Sequence, residues 1–129
     1  MTISLINPDS LATPSGFTHA VRRGDTVWLS GQTALDADGR IVRGGIVEQF
    51  RQALTNVTTA MRAAGGDPGT FLSVTIYLTD IPGYQARGKE IGQVWRELVG
   101  ADYPAMTGVG VTGLWQPEAL VEIQAVAAL

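Results

Sequence analysis

Apolar side chains recur every three or four residues between Ile46 and Ala64, and this spacing predicts the most regular helix of the chain. The apolar positions are Ile46, Val47, Phe50, Leu54, Val57 and Met61. Polar residues fill most of the other positions, so the helix has one face suited to a core. Gly65-Gly66 follows, where a helix commonly ends in a left-handed glycine.

A second helix is predicted from Pro82 to about Val99, because proline is favoured in a first helical turn. Its apolar stripe consists of Tyr84, Ile91, Trp95 and Leu98. Gly88 and Gly92 lie inside it, and each costs about 1 kcal/mol relative to alanine. This helix is therefore either closely packed or weak.

Residues 71–80 alternate between two faces, which predicts a strand. One face carries Leu72, Val74, Ile76 and Leu78, and the other carries Phe71, Ser73, Thr75, Tyr77 and Thr79. Weaker patterns predict further strands at 4–7, 17–22, 26–32, 105–114 and 119–128. Turns at 23–25 and 36–40 separate some of these segments.

The predicted order is β-β-β-α-β-α-β-β, with a hairpin at each end of the chain. It indicates an α+β fold of one domain, residues 1–129, with a mixed sheet and both helices on one face. The other sheet face, with Phe71, Thr75 and Tyr77, lacks a cover. Such a face is usually buried against another subunit.

The composition narrows the function. The formal net charge is −3 and the sequence pI is about 4.9, which disfavours nucleic acid as a partner. There is no cysteine and one histidine, so we expect no disulfide, no thiolate chemistry, no metal site and no cofactor.

No apolar run approaches the ~20 residues that span a bilayer, and no signal peptide is recognisable. We therefore expect a cytoplasmic protein with no membrane partner.

Six segments together resemble the RidA/YjgF family of enamine and imine deaminases, in order and over nearly the whole chain. They are SGFTHAV (15–21), WLSGQTALDADGRIV (28–42), QALTNVTTAMRAAGG (52–66), VTIYLTDIPGY (74–84), YPAMTGVGV (103–111) and LVEIQAVA (120–127). The resemblance implies a chorismate-mutase-like fold and a homotrimer with pockets between subunits. It also implies hydrolysis of reactive enamines or imines of the 2-aminoacrylate type to 2-keto acids and ammonia.

The pocket implied by the resemblance is altered in this chain. The family's deaminases clamp the substrate carboxylate with an arginine in a Pro-Ala-Arg segment, and the matching residue here is Met106. Methionine cannot hold a carboxylate. A pocket tyrosine is matched by Phe17, an asparagine by Gly88 and a small thiol residue by Gly108.

Two positions still match the family. Glu122 corresponds to a glutamate thought to position the attacking water, and Ser30 matches in the SGQ segment. A buried carboxylate has a raised pKa and can act as a general base. Glu122 is therefore the candidate base, and the alternative is a buried hydrogen-bond anchor at a subunit interface. Ser30 either binds substrate or satisfies its own strand.

The remaining candidates are substrate-binding residues. Phe17, Met106 and Trp115 are expected to form an apolar wall, and simple packing is the alternative role for Trp115. Backbone groups near Thr107 and Gly108 are expected to polarise the substrate. His19 shares a strand face with Phe17, but a surface or interface position is the commoner role. Arg87 and Arg22 are candidates to replace the missing clamp, with solvated arginine as the alternative.

The sequence thus favours a RidA-like hydrolase that acts on a more apolar enamine, imine or related conjugated small molecule. One alternative is a non-catalytic, small-molecule-binding regulatory trimer. A ribonuclease is a weaker alternative, because the chain is acidic and has no strip of basic and aromatic residues.

Overall fold

The computed structural model describes residues 1–129 and contains one six-stranded sheet. The strands are β1 (Ile3–Ile6), β2 (Ala20–Arg23), β3 (Thr26–Gln32), β4 (Phe71–Leu78), β5 (Ala105–Gly110) and β6 (Val121–Ala128). The helices are α1 (Ile46–Ala63), α2 (Ile81–Ala86) and α3 (Gly88–Leu98). The strand order is β1-β2-β3-β6-β4-β5, so the last strand of the chain lies in the middle of the sheet.

The core lies between the helices and one face of the sheet. From the helices it takes apolar side chains such as Phe50, Leu54, Val57, Met61 and Trp95, and from the sheet Val27, Leu29, Val74, Ile76, Val121 and Ile123. All of these side chains are almost fully buried. The prediction that the helices cover one sheet face is confirmed. None of the helices has both the length and the apolar character needed to cross a bilayer.

Helix α1 follows the prediction closely, and its ends have clear causes. The Glu48 carboxylate accepts a hydrogen bond from the backbone N–H of Gly45 (3.1 Å), as in a capping box. At the other end Gly65 has a φ of +97°, and Gly66 N–H donates to the Met61 carbonyl (3.0 Å). That left-handed residue and backward bond end the helix in a Schellman-type turn.

The predicted second helix is wrong as a single element, because the chain breaks at Arg87 into α2 and α3. Asp80 caps the start of α2, because its side chain accepts a hydrogen bond from Gly83 N–H (3.0 Å). Arg87 has non-helical dihedral angles (φ −114°, ψ 22°), and Gly88 is the first residue of α3. Glycine costs about 1 kcal/mol relative to alanine inside a helix, so Gly88 favours a break at this place.

The predicted C-terminal hairpin is also wrong. β5 pairs in parallel with β4, whereas β6 pairs antiparallel with both β3 and β4. A parallel pair needs a crossover connection, and the helical segment 81–98 between β4 and β5 provides it. Segment 111–120 then returns the chain to the centre of the sheet.

A bulge at the start of β4 corrects the predicted faces. The pairing of β4 with β6 shifts register between Phe71 and Ser73. As a result Phe71 is buried and Leu72 is exposed, the reverse of the strict alternation expected from the sequence. Beyond the bulge Val74, Ile76 and Leu78 face the core as predicted.

The second sheet face is uncovered in a single chain. Thr75, Tyr77 and Glu122 lie on it, with Gln124 next to Glu122 along β6 and the exposed Trp28 on β3. The Tyr77 hydroxyl donates to Gln124 Oε1 (2.9 Å) across two strands. The face is thus ordered and partly polar.

Candidate functional site

Glu122 lies in a cavity of about 370 Å³ that opens on the uncovered side of the sheet. We call it the Glu122 cavity, and the residues that matter to the argument are Phe17, Ser30, Gly31, Trp115, Gln116 and Glu122. They come from four separate parts of the chain: the loop before β2, strand β3, the loop after β5 and strand β6. The topology brings them together because β6 lies next to β3.

The Glu122 carboxylate is half-buried, and it takes part in none of the side-chain hydrogen bonds or ion pairs within the chain. Burial raises the pKa of this carboxyl above its ordinary value. A free carboxylate with a pKa nearer neutrality suits a general base that must gain and lose a proton. This arrangement lacks the internal partners of a structural anchor.

A β-bulge in β3 places backbone directly beside that carboxylate. The pairing of β3 with β6 shifts register between Leu29 and Gln32, so Ser30 and Gly31 lie in the irregular segment. A Cβ atom at Gly31 would come within 2.8 Å of the Glu122 carboxyl carbon. Only glycine leaves room for the carboxylate in its present position, as is common where a bulge adjoins a functional group.

Gly31 is a site residue that sequence reasoning missed. Its only signal was a glycine inside a strand pattern, which often marks a bulge or a close approach of another group.

Ser30 lines the Glu122 cavity, but its hydroxyl is already engaged. It donates to the carbonyl oxygen of Thr18 and lies 3.2 Å from the carbonyl oxygen of His19. A hydroxyl has one proton, so the lone pairs of Ser30 are what remain for a bound molecule. Ser30 is thus placed to accept a hydrogen bond from water or an N–H group.

His19 is 3% exposed and does not line the Glu122 cavity. Its Nε2 lies 2.8 Å from the Ala12 carbonyl, which can only accept, so Nε2 carries the proton. Its Nδ1 then accepts from the side-chain amide of Gln32 (2.8 Å). Both ring nitrogens are occupied, and the ring packs edge-on against Phe17 at 5.2 Å between centroids. The expectations of a shared strand face and of a surface position for His19 are wrong, because both residues precede β2 and the buried His19 ring packs against Phe17.

Trp115 stands at the rim of the Glu122 cavity with 90% of its surface exposed. The side chain of the next residue, Gln116, is held in place because its Oε1 accepts a hydrogen bond from the Thr33 hydroxyl (2.7 Å). The Trp115 ring is therefore available for contact with a ligand or a second chain.

Met106 lies at a different cavity, of about 160 Å³, which we call the Met106 cavity. Ile76 and Met106 form its floor on β4 and β5, and Tyr84, Gly88 and Gly92 form its roof on α2 and α3. Phe50, Ile91, Trp95 and Tyr103 complete the walls. Met106 itself is 38% exposed, so it stands at the rim.

The remaining β5 candidates lie beside Met106. Gly108 pairs with the core-facing Ile76, and a Cβ placed on it would meet no atom within 4 Å. Thr107 pairs with Thr75 and faces the uncovered side of the sheet. Neither residue lines the Glu122 cavity.

The two arginines proposed to replace the clamp have other partners. Arg22 donates to the carbonyls of Ala64 (3.1 Å) and Gly24 (3.3 Å), which places it at the end of α1. Arg87 forms an exposed ion pair with Glu90 at 3.4 Å, one turn into α3. Neither arginine lines the Glu122 cavity or the Met106 cavity.

The candidate residues therefore form two groups on opposite faces of one sheet. Glu122 shares its face with Tyr77, whereas Met106 shares its face with Val74 and Ile76. One small molecule cannot touch both groups within a single chain. No cluster of three or more His, Asp or Glu side chains is arranged to hold a metal ion.

Comparisons with known proteins agree with this fold. Residues 8–129 match the family model described as Endoribonuclease L-PSP. The chain is 34% identical to the 2-iminobutanoate/2-iminopropanoate deaminase of Capra hircus over 86% of this chain and 78% of the goat protein. It is 33% identical to the mitochondrial protein mmf2 of Schizosaccharomyces pombe over 95% of each chain. Since a relative is mitochondrial, the cytoplasmic location stays a prediction.

Among solved structures, RidA from an Antarctic Psychrobacter species superposes with a TM-score of 0.85 at 26% identity, over 98% of this chain and 99% of that one. The sheet order, the helices on one face and the sequence match point to the same origin, and the chain belongs to the RidA/YjgF family.

Proposed function

We propose that this protein hydrolyses a reactive, uncharged imine or enamine to a carbonyl compound and ammonia, with Glu122 as the general base. The observation that carries the proposal is the half-buried Glu122 carboxylate, which has a raised pKa and no partner in the chain. The relatives named imine deaminases support the reaction type.

The chemistry needs one base that acts twice. A water molecule attacks the imine carbon, the C–O bond forms, and the π electrons of the C=N bond move to nitrogen. Glu122 accepts the proton from that water and passes it to nitrogen, which gives a carbinolamine. Glu122 then takes the hydroxyl proton and delivers it to nitrogen, the C–N bond breaks, and ammonia leaves a carbonyl group behind. The sum is imine plus water to carbonyl plus ammonia.

Ser30 and the bulge are proposed to position the water. The free lone pairs of Ser30 can accept one of its hydrogens, while Gly31 leaves the carboxylate space to accept the other. Phe17 and Trp115 are exposed in a single chain and would exclude bulk water once a second chain covers them, so that the nucleophile is one fixed molecule.

The substrate is proposed to lack a carboxylate next to the reacting carbon. The clamp that the family resemblance implies falls on Met106, and neither Arg22 nor Arg87 reaches either cavity. A carboxylate buried here would lose hydration without gaining a partner, which is costly.

The working site is proposed to form between chains of a homotrimer. Glu122 and Met106 lie on opposite faces of one chain, so the Glu122 cavity of one subunit must meet the Met106 cavity of its neighbour. The uncovered sheet face and the exposed Trp115 supply surface for that contact.

An endoribonuclease activity, which the family model's description names, has little support in this chain. Its net charge is −3, whereas nucleic-acid binding rests mainly on basic residues that neutralise phosphates.

The test compares Glu122→Gln with Glu118→Gln, an exposed glutamate in the loop that precedes β6. A flavin amine oxidase generates 2-phenylethanimine from 2-phenylethylamine, and the rate of ammonia release, corrected for the uncatalysed reaction, measures hydrolysis by the protein. We expect Glu122→Gln to lose activity by about 100- to 10,000-fold, the usual cost of removing a positioned base. Glu118→Gln should match the native protein.

Equal turnover in Glu122→Gln and native protein would refute the role of Glu122. Native protein that binds such imines without hydrolysing them would instead have a binding and regulatory role.

A further inference from the structure

The Met106 cavity has a size and lining that suit a small apolar group. Its volume is about 160 Å³, and a protein cavity of ~150 Å³ with an apolar lining can bind benzene. None of its lining residues carries a charge, and most are apolar or aromatic. An ionised group placed there would have no counter-charge.

Missing side chains keep this space open. A Cβ at the exposed Gly88 would meet no atom within 4 Å, so a side chain there could stand at the mouth of the cavity. Gly92 lies one turn further along the same helix and also lines the cavity. Any larger residue at Gly88 has room to enter the space that a ligand would use.

Two phenol groups supply the polar contacts. The hydroxyls of Tyr84 and Tyr103 take part in no hydrogen bond within the chain, whereas the Trp95 indole N–H is already bonded to the Asp102 carbonyl (3.2 Å). Burial, and secondarily Tyr103, raise the pKa of Tyr84, so its phenol stays neutral. The Tyr103 ring stacks on Trp95 at 5.4 Å, which forms a flat aromatic wall.

We propose that the Met106 cavity is a subsite for an uncharged aromatic or branched apolar side chain of the substrate. The proposal rests on the proposed imine hydrolysis for its biological meaning, but the binding itself can be measured without turnover. It narrows the substrate class to imines or enamines with a side chain about the size of a benzene ring.

The experiment titrates the native protein with benzyl alcohol and, separately, with benzoate, and follows amide and indole N–H signals by NMR. Benzyl alcohol should shift Gly88, Gly92 and the Trp95 indole, and benzoate should bind at least about tenfold more weakly because its charge loses hydration. Gly88→Leu places a side chain at the mouth of the cavity and should weaken binding of benzyl alcohol by about 10- to 100-fold, the effect of losing burial of one ring.

Gly113→Leu is the matched control. A Cβ at Gly113 also meets no atom within 4 Å, but the residue lines neither cavity, so benzyl alcohol should bind this variant as it binds the native protein. Benzyl alcohol that shifts other residues, binds Gly88→Leu unchanged, or binds no better than benzoate would overturn the subsite.

The outcomes separate the two proposals. Binding at this cavity without any Glu122-dependent turnover leaves the subsite standing and refutes the hydrolase. Glu122-dependent turnover with no binding at this cavity supports the hydrolase and refutes the subsite.

Discussion

At the scale of single residues, Glu122 is the group whose ionisation should govern activity. Burial raises its pKa above the ordinary 4.5, and the base works only when it is unprotonated. Activity should therefore be complete at high pH and fall as the pH drops through that raised pKa.

The measurement is the pH dependence of kcat/KM for 2-phenylethanimine hydrolysis, corrected for the uncatalysed rate. We expect the midpoint of the acid limb above pH 4.5. A midpoint at or below that value would mean that the carboxylate is solvated in the working enzyme, contrary to its burial here.

Met106 is the residue that should set whether the protein prefers charged or uncharged substrates. Met106→Arg would place a guanidinium group, which can pair with a carboxylate through two hydrogen bonds, at the rim of the Met106 cavity. Such a charge-assisted pair contributes about 1.5–3 kcal/mol at best. The variant should gain about ten- to a hundredfold on 2-iminopropanoate, which an amino-acid oxidase generates from alanine.

Met106→Leu, which keeps the rim apolar, should show no such gain. Native protein that already hydrolyses 2-iminopropanoate as fast as an arginine-bearing relative would show that another group holds the carboxylate, with Arg22 and Arg87 the first to replace.

At the scale of elements, the bulge in β3 is the feature that holds the base in place. Gly31→Ala adds a methyl group that collides with the Glu122 carboxylate, so the carboxylate must move. A displacement of ~1 Å in a catalytic group can cost about 100-fold, and we expect a loss of that order in kcat.

Gly113→Ala is the control for the effect of a methyl group in place of glycine. Circular dichroism and the melting temperature establish that both variants fold. Full activity in folded Gly31→Ala would mean that the bulge does not position the carboxylate.

Periodicity predicted most elements but not their connections. The spacing of Ile46 to Met61 defined α1, and the alternation from Val74 to Leu78 defined the buried face of β4. The bulge at Leu72 arises from tertiary pairing, which leaves no periodic signal, and the only sign of the break at Arg87 was the helix-weakening Gly88. The position of β6 depends on distant partners, so the pattern of residues 119–128 predicts a strand and not its neighbours.

The candidate site was predictable only in part. The family resemblance pointed to Glu122, Ser30 and Phe17, and the structure brings these residues to one cavity. The family resemblance could not show that the Ser30 hydroxyl donates a hydrogen bond within the chain or that both ring nitrogens of His19 have partners. These facts depend on backbone carbonyls and an amide that fold against them from elsewhere in the chain.

At the scale of the whole molecule, the uncovered sheet face should drive assembly. A face with the exposed Trp28 and the half-buried Tyr77 open to water is costly in a monomer. We expect a homotrimer with three times the 13.6 kDa mass of the chain, measured by light scattering coupled to size exclusion. A stable monomer or dimer would remove the proposed site between subunits.

The most direct test of the account mixes two variant subunits, one that lacks the base and one in which the Met106 cavity is obstructed. Glu122→Gln and Gly88→Leu chains, each with its own tag, are expressed together, and trimers that carry both tags are purified in tandem. In a cyclic trimer that holds both variants, one of the three interfaces joins an intact Glu122 to an intact Met106 cavity.

The quantity measured is the rate of 2-phenylethanimine hydrolysis by these mixed trimers. The account predicts about one third of the native rate, because one interface in three is complete. Mixed trimers that are no more active than trimers of either variant alone would contradict the account. That result would place the base and the substrate pocket within the same chain.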